Sequence, residues 1–182
     1  GSEGVLLGDS NYDGVLNVLD IVLVVNMILG ISEPDMYSAD VNQDGAVNVL
    51  DIVSIVNIIL DSRGVNASIA TLHNENGKIS ISSNGVIDAI QLKLRHAENI
   101  QIQLTQFSLF SKIHTIGNET IVIIVAPESH EVLEADDNIE VIDVIVANSS
   151  GEVQMSEPQV FSIGKAYPNP FNPTTTLNYS IP

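Results

Sequence analysis

Residues 18–29 read VLDIVLVVNMIL and residues 49–60 read VLDIVSIVNIIL, two runs that are apolar at nearly every position. Polar residues interrupt them chiefly at Asp20 and Asn26, and at Asp51 and Asn57. Their many β-branched residues lower helix propensity, so local preference alone would allow strands. Run length, a terminating Gly30 after the first run and the polar lead-in to each favour helices. A helix apolar all round has to be buried on more than one side. Two such helices cover one face on each other and leave apolar surface over, which usually marks a partner site.

From about residue 66 to 163 the period changes from helical to alternating. Residues 78–82 read KISIS, 87–94 IDAIQLKL, 100–104 IQIQL, 120–125 TIVIIV and 139–146 IEVIDVIV. Most alternate apolar with polar, the period of a strand with one buried face. Asn76-Gly77, Asn84-Gly85, Gly117-Asn118 and Ser150-Gly151 supply turn signals between them. Short strands at this spacing predict an antiparallel β-sandwich. The expected class is therefore α+β and multidomain, a small all-α unit followed by a sandwich.

The segments that lead into the two helices are near-copies of each other. The first holds Asp9, Asn11, Asp13, Gly14, Val15, Asn17 and Asp20; the second holds Asp40, Asn42, Asp44, Gly45, Ala46, Asn48 and Asp51. Side-chain oxygens fall at loop positions 1, 3, 5, 9 and 12, with Gly at position 6. Ca²⁺ requires six to eight hard oxygen ligands about one point, and a short loop supplies them by pointing alternate residues inward and turning sharply at the glycine. Position 7 would contribute a backbone carbonyl, which Val15 and Ala46 can do. An Asp/Asn-rich turn capping a helix is the plainer reading of one copy, and repetition of the whole ligand pattern argues against it. Position 12 is Asp where an EF-hand has a bidentate Glu, so the loop must close more tightly or bind more weakly. No long helix precedes the first loop, so each unit is half of an EF-hand.

The tandem DxNxDGxxNxxD loops, each followed by an apolar helix, resemble the dockerin module over residues 5–62. That resemblance implies two loop-helix units related by a pseudo-twofold, one Ca²⁺ per loop, and docking to a cohesin, a β-sandwich module. It also implies partner recognition at loop positions 10 and 11 and the following helix turns: Val18, Leu19 and Leu23, and Val49, Leu50 and Ile55. Many cellulosomal dockerins carry small hydroxyl residues at positions 10 and 11, so the apolar residues here imply a more apolar contact. The strand order of the following region resembles a compact cohesin-like domain, and an immunoglobulin-like sandwich fits it nearly as well. The expected partner is a cohesin-like sandwich, in cis or in trans.

Six Lys and Arg stand against 23 Asp and Glu, a formal charge of −17. No basic residue precedes Arg63, and so acidic a surface repels nucleic acid and anionic lipid. Six carboxylates of that first third sit at calcium-ligand positions, so bound metal would offset much of the repulsion. Cysteine is absent, and no apolar run is long enough to predict a membrane span. Residues 1–4 read as a tag remnant or linker, Gly1-Ser2 as an appended dipeptide, with no signal peptide; the chain is expected to be a C-terminal part of a longer protein.

Catalysis finds little support. His73, His96, His114 and His130 form no metal-binding pair, no thiol exists, and no GxSxG elbow is present. No catalytic residue is predicted. Residues 164–182 read GKAYPNPFNPTTTLNYSIP, an extended proline-rich segment leading into a strand-like run. Its string from Tyr167, Pro168, Asn169, Pro170, Phe171, Asn172 and Pro173 into three threonines resembles the opening of the C-terminal sorting domain of type IX secretion. The resemblance implies the type IX machinery as a partner and an extracellular or cell-surface location, with the domain cut short at Pro182. Two functional classes lead: a calcium-dependent interaction region, and a rigid spacer before a secretion signal. A carbohydrate-binding or enzymatic sandwich stands behind both.

Overall fold

The computed structural model describes residues 6–60, 64–105, 107–136 and 138–158, and the backbone at 162–163 and 179–180. Three helices come first: α1 (Val18–Ile28), the short α2 (Met36–Ala39) and α3 (Val49–Ile59). Helices α1 and α3 form despite their β-branched residues because each begins with the same capping box. Asn17 and Asn48 cap the first turn, and the N3 residues Asp20 and Asp51 reach back to the cap backbone. At the other end of α1, Gly30 takes φ 71° and its N–H donates to Met27 O at 3.0 Å, the left-handed stop that glycine tolerates. Helix α2 was not predicted; Asp35 caps its start through Tyr37 N at 3.1 Å.

The strands are β1 (Ile69–Glu75), β2 (Lys78–Ser83), β3 (Ala89–His96), β4 (Ile102–Leu104), β5 (Ser108–Ile116), β6 (Glu119–Pro127), β7 (Glu131–Ala135), β8 (Ile139–Asn148), β9 (Gly151–Glu152) and β10 (Gln154–Ser156). They make two five-stranded sheets, β10-β1-β2-β7-β4 and β5-β6-β3-β8-β9. The pairs within both sheets are antiparallel except β1 with β10, which run parallel. Two-residue strands β11 (Ser162–Ile163) and β12 (Tyr179–Ser180) pair with each other. The Asn76-Gly77 signal turns β1 into β2 with both residues at positive φ, as a tight primed turn requires.

Between the sheets lies one apolar core, with Ile79, Ile81 and Leu133 from the first sheet against Ile90, Leu92, Leu94, Val122, Ile124 and Val146 from the second. The second sheet is buried on its other face too. Ala89, Ile123, Val125 and Ala147 join Ile21, Val24, Val25, Val49, Ile52, Ile55 and Val56 of the helices in a second continuous core. Double burial explains why residues 121–125 read IVIIV instead of alternating. Small Ala89 and Ala147 let α3 approach β3, β6 and β8 closely.

The chain between α3 and β1 is also held to the sandwich. Val86 N–H donates to Val65 O at 2.8 Å and Ala67 N–H to Val86 O at 3.0 Å. A Cβ at Gly85 would lie 2.6 Å from Val65 O and 2.7 Å from Ala67 N, so only glycine lets the connector pass there. Buried Asn148 adds a bond from its amide to Ala67 O at 2.7 Å.

Candidate calcium loops and docking face

The two loops share nearly all of their hydrogen bonds; the Asn17 amide also donates to Val15 O at 3.2 Å in the first. Asp20 Oδ1 accepts from Ser10 N at 3.0 Å and Asn11 N at 3.3 Å, and Oδ2 from Asn17 N at 2.9 Å. Asp51 accepts from Val41 N, Asn42 N and Asn48 N at 2.8, 3.2 and 2.9 Å. The position-1 carboxylates of Asp9 and Asp40 each accept from the N–H groups at positions 5 and 6. Asn11 and Asn42 each accept from the backbone of Asp13 and Asp44 and donate to their carboxylates at 2.9 Å. Asp13 and Asp44 accept from Val15 N and Ala46 N, both at 2.9 Å. Tyr12 and Gln43 at position 4 take φ 59° and 60°, and the position-6 glycines 84° and 89°. These positive angles turn the chain around the carboxylates.

Asp9, Asp20, Asp40 and Asp51 are buried, while Asp13 and Asp44 stay exposed. Burial in an acidic loop pushes the Asp51 carboxyl above its ordinary value, against its three backbone N–H donors. Among the described residues, no three His, Cys, Asp or Glu side chains gather as a metal cluster. The donor set of each loop is instead mixed, with carboxylates at 1, 5 and 12, amide oxygens at 3 and 9 and a carbonyl at 7. That all-oxygen set suits a hard cation such as Ca²⁺ and does not suit zinc or copper. The side-chain oxygens of Asp9, Asn11 and Asp13, and of Asp40, Asn42 and Asp44, each accept one hydrogen bond and so keep a second lone pair.

Two further contacts fix the first loop. Gly8 N–H donates to Ser38 O at 2.8 Å, and a Cβ at Gly8 would lie 3.1 Å from Ile55. The Tyr12 hydroxyl donates to Asp35, the cap of α2. That bond raises the Tyr12 pKa and is the main cause holding Asp35 below its ordinary value.

The six residues at the expected docking positions part company. Val49 and Ile55 are fully buried in the core shared with the sandwich, and Leu50 packs against it. Leu23 is half-buried, while Val18 is 40% and Leu19 58% exposed. A polar contact marks the interface: Lys112 on β5 donates to Asn26 Oδ1 at 2.6 Å. Helix α1 has no basic residue in its own last turn, and Lys112 supplies a cation near the negative end of its dipole. Sequence reasoning missed Lys112 because nothing local links it to a helix so far away along the chain.

Residues 7–60 match the dockerin type I domain. Within that matched region, the α3 face lies on the sandwich of the same chain. No curated protein matches the chain. Among solved structures, a non-cellulosomal cohesin from the hyperthermophilic archaeon Archaeoglobus fulgidus is similar at a TM-score of 0.31 and 10% identity, covering 49% of this chain and 83% of that one.

The histidines are separately placed. Buried His96 bonds Thr120 Oγ1 and Ala97 O, both at 2.8 Å. His73 and His130 line one hollow of about 580 Å³ on the first sheet, among serines, carboxylates and Lys78. Its described lining residues include no Phe, Tyr or Trp. No helix among the described residues is long and apolar enough to cross a membrane. Residues Tyr167 to Pro173 lie outside the described residues.

Proposed function

We propose that this chain is a calcium-binding, non-catalytic interaction region of a secreted or cell-surface protein. Its dockerin binds two Ca²⁺ ions and docks in cis on the sandwich that follows it. The observation that carries this reading is the continuous apolar core running from α1 and α3 into Ala89, Ile123, Val125 and Ala147. Asp9, Asn11, Asp13, Val15, Asn17 and Asp20 hold one ion; Asp40, Asn42, Asp44, Ala46, Asn48 and Asp51 hold the other. The ligand chemistry and the repeated geometry support both sites. Metal would neutralise carboxylates that repel one another when the loops are empty, so it should stabilise the helices that follow.

The cis partner occupies the second unit, at Val49, Leu50 and Ile55. Val18 and Leu19 of the first unit are left for a cohesin-like sandwich in trans. The spacer reading has an observation of its own in that shared core, because tethering keeps the two parts at high local concentration. Titration calorimetry on the calcium-free chain, with and without an added cohesin-like module, separates the two. Two calcium sites and a calcium-dependent partner complex lost on Leu19→Asp support docking in trans. Two sites without any complex leave the spacer, and fewer than two sites defeat the calcium assignment.

The organisation proposed is a dockerin at 5–62, a sandwich at 66–163 and the opening of a type IX sorting domain at 164–182. For the last, a periplasmic reporter fused to the full-length C-terminus in a type IX secreting cell is expected to reach the surface. A reporter retained in the periplasm counts against it.

A further inference from the structure

Strand β5 closes one side of the second sheet, and among the described residues its outer edge has no partner strand. A nine-residue edge of this kind normally carries a bulge, a proline or charges that keep other strands away. Here β5 reads SLFSKIHTI, with no proline and no bulge in its pairing with β6. Its one lysine is already engaged by Asn26.

Charge singles out the same edge. From Asn99 to Asn118 there is no Asp or Glu, the longest acid-free stretch within the sandwich of a chain whose formal charge is −17. Exposed apolar side chains stand at both ends of it: Phe107 is 75% and Leu109 45% exposed at the start, and Ile116 67% at the end. Across β6, the neighbouring strand is by contrast buried along almost its whole length.

We infer that the β5 edge is a self-association surface, on which β5 of a second copy of this chain adds antiparallel to make one ten-stranded sheet. The occupant is a second copy because acidic copies repel each other over most of their surface, and the acid-free edge is where that repulsion is weakest. A two-fold axis suits such a strand, since each copy presents the same edge to the other. Centred on Ser111, the axis sets Leu109 opposite Ile113 and Lys112 opposite Phe110, so no like charges face each other. It also sets Phe107 opposite Thr115, covering the two exposed apolar residues at the start of the strand. Pairing along one strand buries less than the roughly 800 Å² per partner of a standard interface. The dimer is therefore weak, with a dissociation constant on the order of 10–100 µM.

Sedimentation equilibrium of the whole chain with calcium, from micromolar to millimolar concentration, tests this. The expected result is a reversible dimer that Phe107→Lys/Leu109→Lys weakens at least about tenfold, and that Val18→Lys/Leu19→Lys leaves unchanged. Both changes lie at exposed positions, and thermal melting checks that the variants fold. A spin label at Thr115→Cys provides a second reading that needs no disruptive change, because the chain has no other cysteine. Two labels eight residues out of register should lie about 25–30 Å apart across the new pair. A chain that stays monomeric to millimolar concentration overturns the inference. So does a dimer that survives the β5 changes, or one that lacks the short inter-label distance.

Discussion

The two loop-helix units carry nearly the same residues and repeat most of their internal hydrogen bonds, but their surroundings differ. In the second unit Val49 is fully buried and Leu50 packs on the core shared with the sheet; in the first, the equivalent Val18 and Leu19 face solvent. Local structure therefore follows the repeat, while burial follows what each copy meets. A position-by-position likeness between repeats is a sound guide to the hydrogen bonding within each loop, which is local. It is a poor guide to contact surfaces, which depend on a neighbour that is itself unrepeated.

The strongest way to break this comparison is at loop position 12. Asp20→Ala and Asp51→Ala should each abolish one calcium site by calorimetry, since each carboxylate ties three backbone N–H groups of its loop. Leaving those donors unpaired should cost about 3–5 kcal/mol in either unit. Only Asp51→Ala should also raise hydrogen exchange in β3 and β6, because α3 is the helix seated on them. Equal loosening by Asp20→Ala would dissolve the distinction between the units.

Next comes packing. Ile55→Ala removes a fully buried side chain from the shared core and should destabilise the chain by about 2–5 kcal/mol in chemical denaturation. Leu50→Asp should open the helix–sheet contact and increase protease cleavage between α3 and β1. Leu19→Asp, at its solvent-facing equivalent, should stay within about 0.5 kcal/mol of the parent. If the two aspartates cost the same, the first unit is covered after all.

A smaller effect is expected at Lys112→Met, which keeps the side-chain stem and removes the bond to Asn26. About 1 kcal/mol should be lost, and the loss should shrink in Asn26→Leu. The smallest concerns Glu119 on the exposed rim. Lys93 at 2.9 Å, with Arg95 at 3.3 Å, holds its carboxyl below the ordinary value of 4.5. Its contribution to stability is present above that value and is lost as pH falls through the lowered one. Carboxyl titration by NMR should show the low midpoint, and Lys93→Met should raise it.

Both long helices were legible because their length and lead-in residues outweighed the β-branched content, and the capping boxes explain why. Five strands were legible from alternation or from an apolar run. Strands β1, β5 and β7 were not. Their polar or mixed positions, such as His73 and Asn74 on β1 or Glu131 and Glu134 on β7, leave too few apolar residues to fix a period. The parallel pairing of β10 with β1 was beyond reach, since it joins residues far apart in the chain through three backbone pairs. The shared shape of the two loops needed only spacing. The parting of Val18 and Leu19 from Val49 and Leu50 needed the sheet.

That parallel pair has a mechanical meaning. β1 opens the sandwich and β10 lies near its end, side by side and pointing the same way. Tension applied between the helical region and the tail draws β1 and β10 past each other along their length. The backbone hydrogen bonds of the short ladder that sets Ile69 beside Gln154, Ala70 beside Met155 and Thr71 beside Ser156 are then loaded in shear, together rather than one after another. The Thr71–Ser156 hydroxyl contact at 2.7 Å is loaded in the same direction. A sandwich fastened this way resists stretching at its two ends before any strand of its core is peeled away.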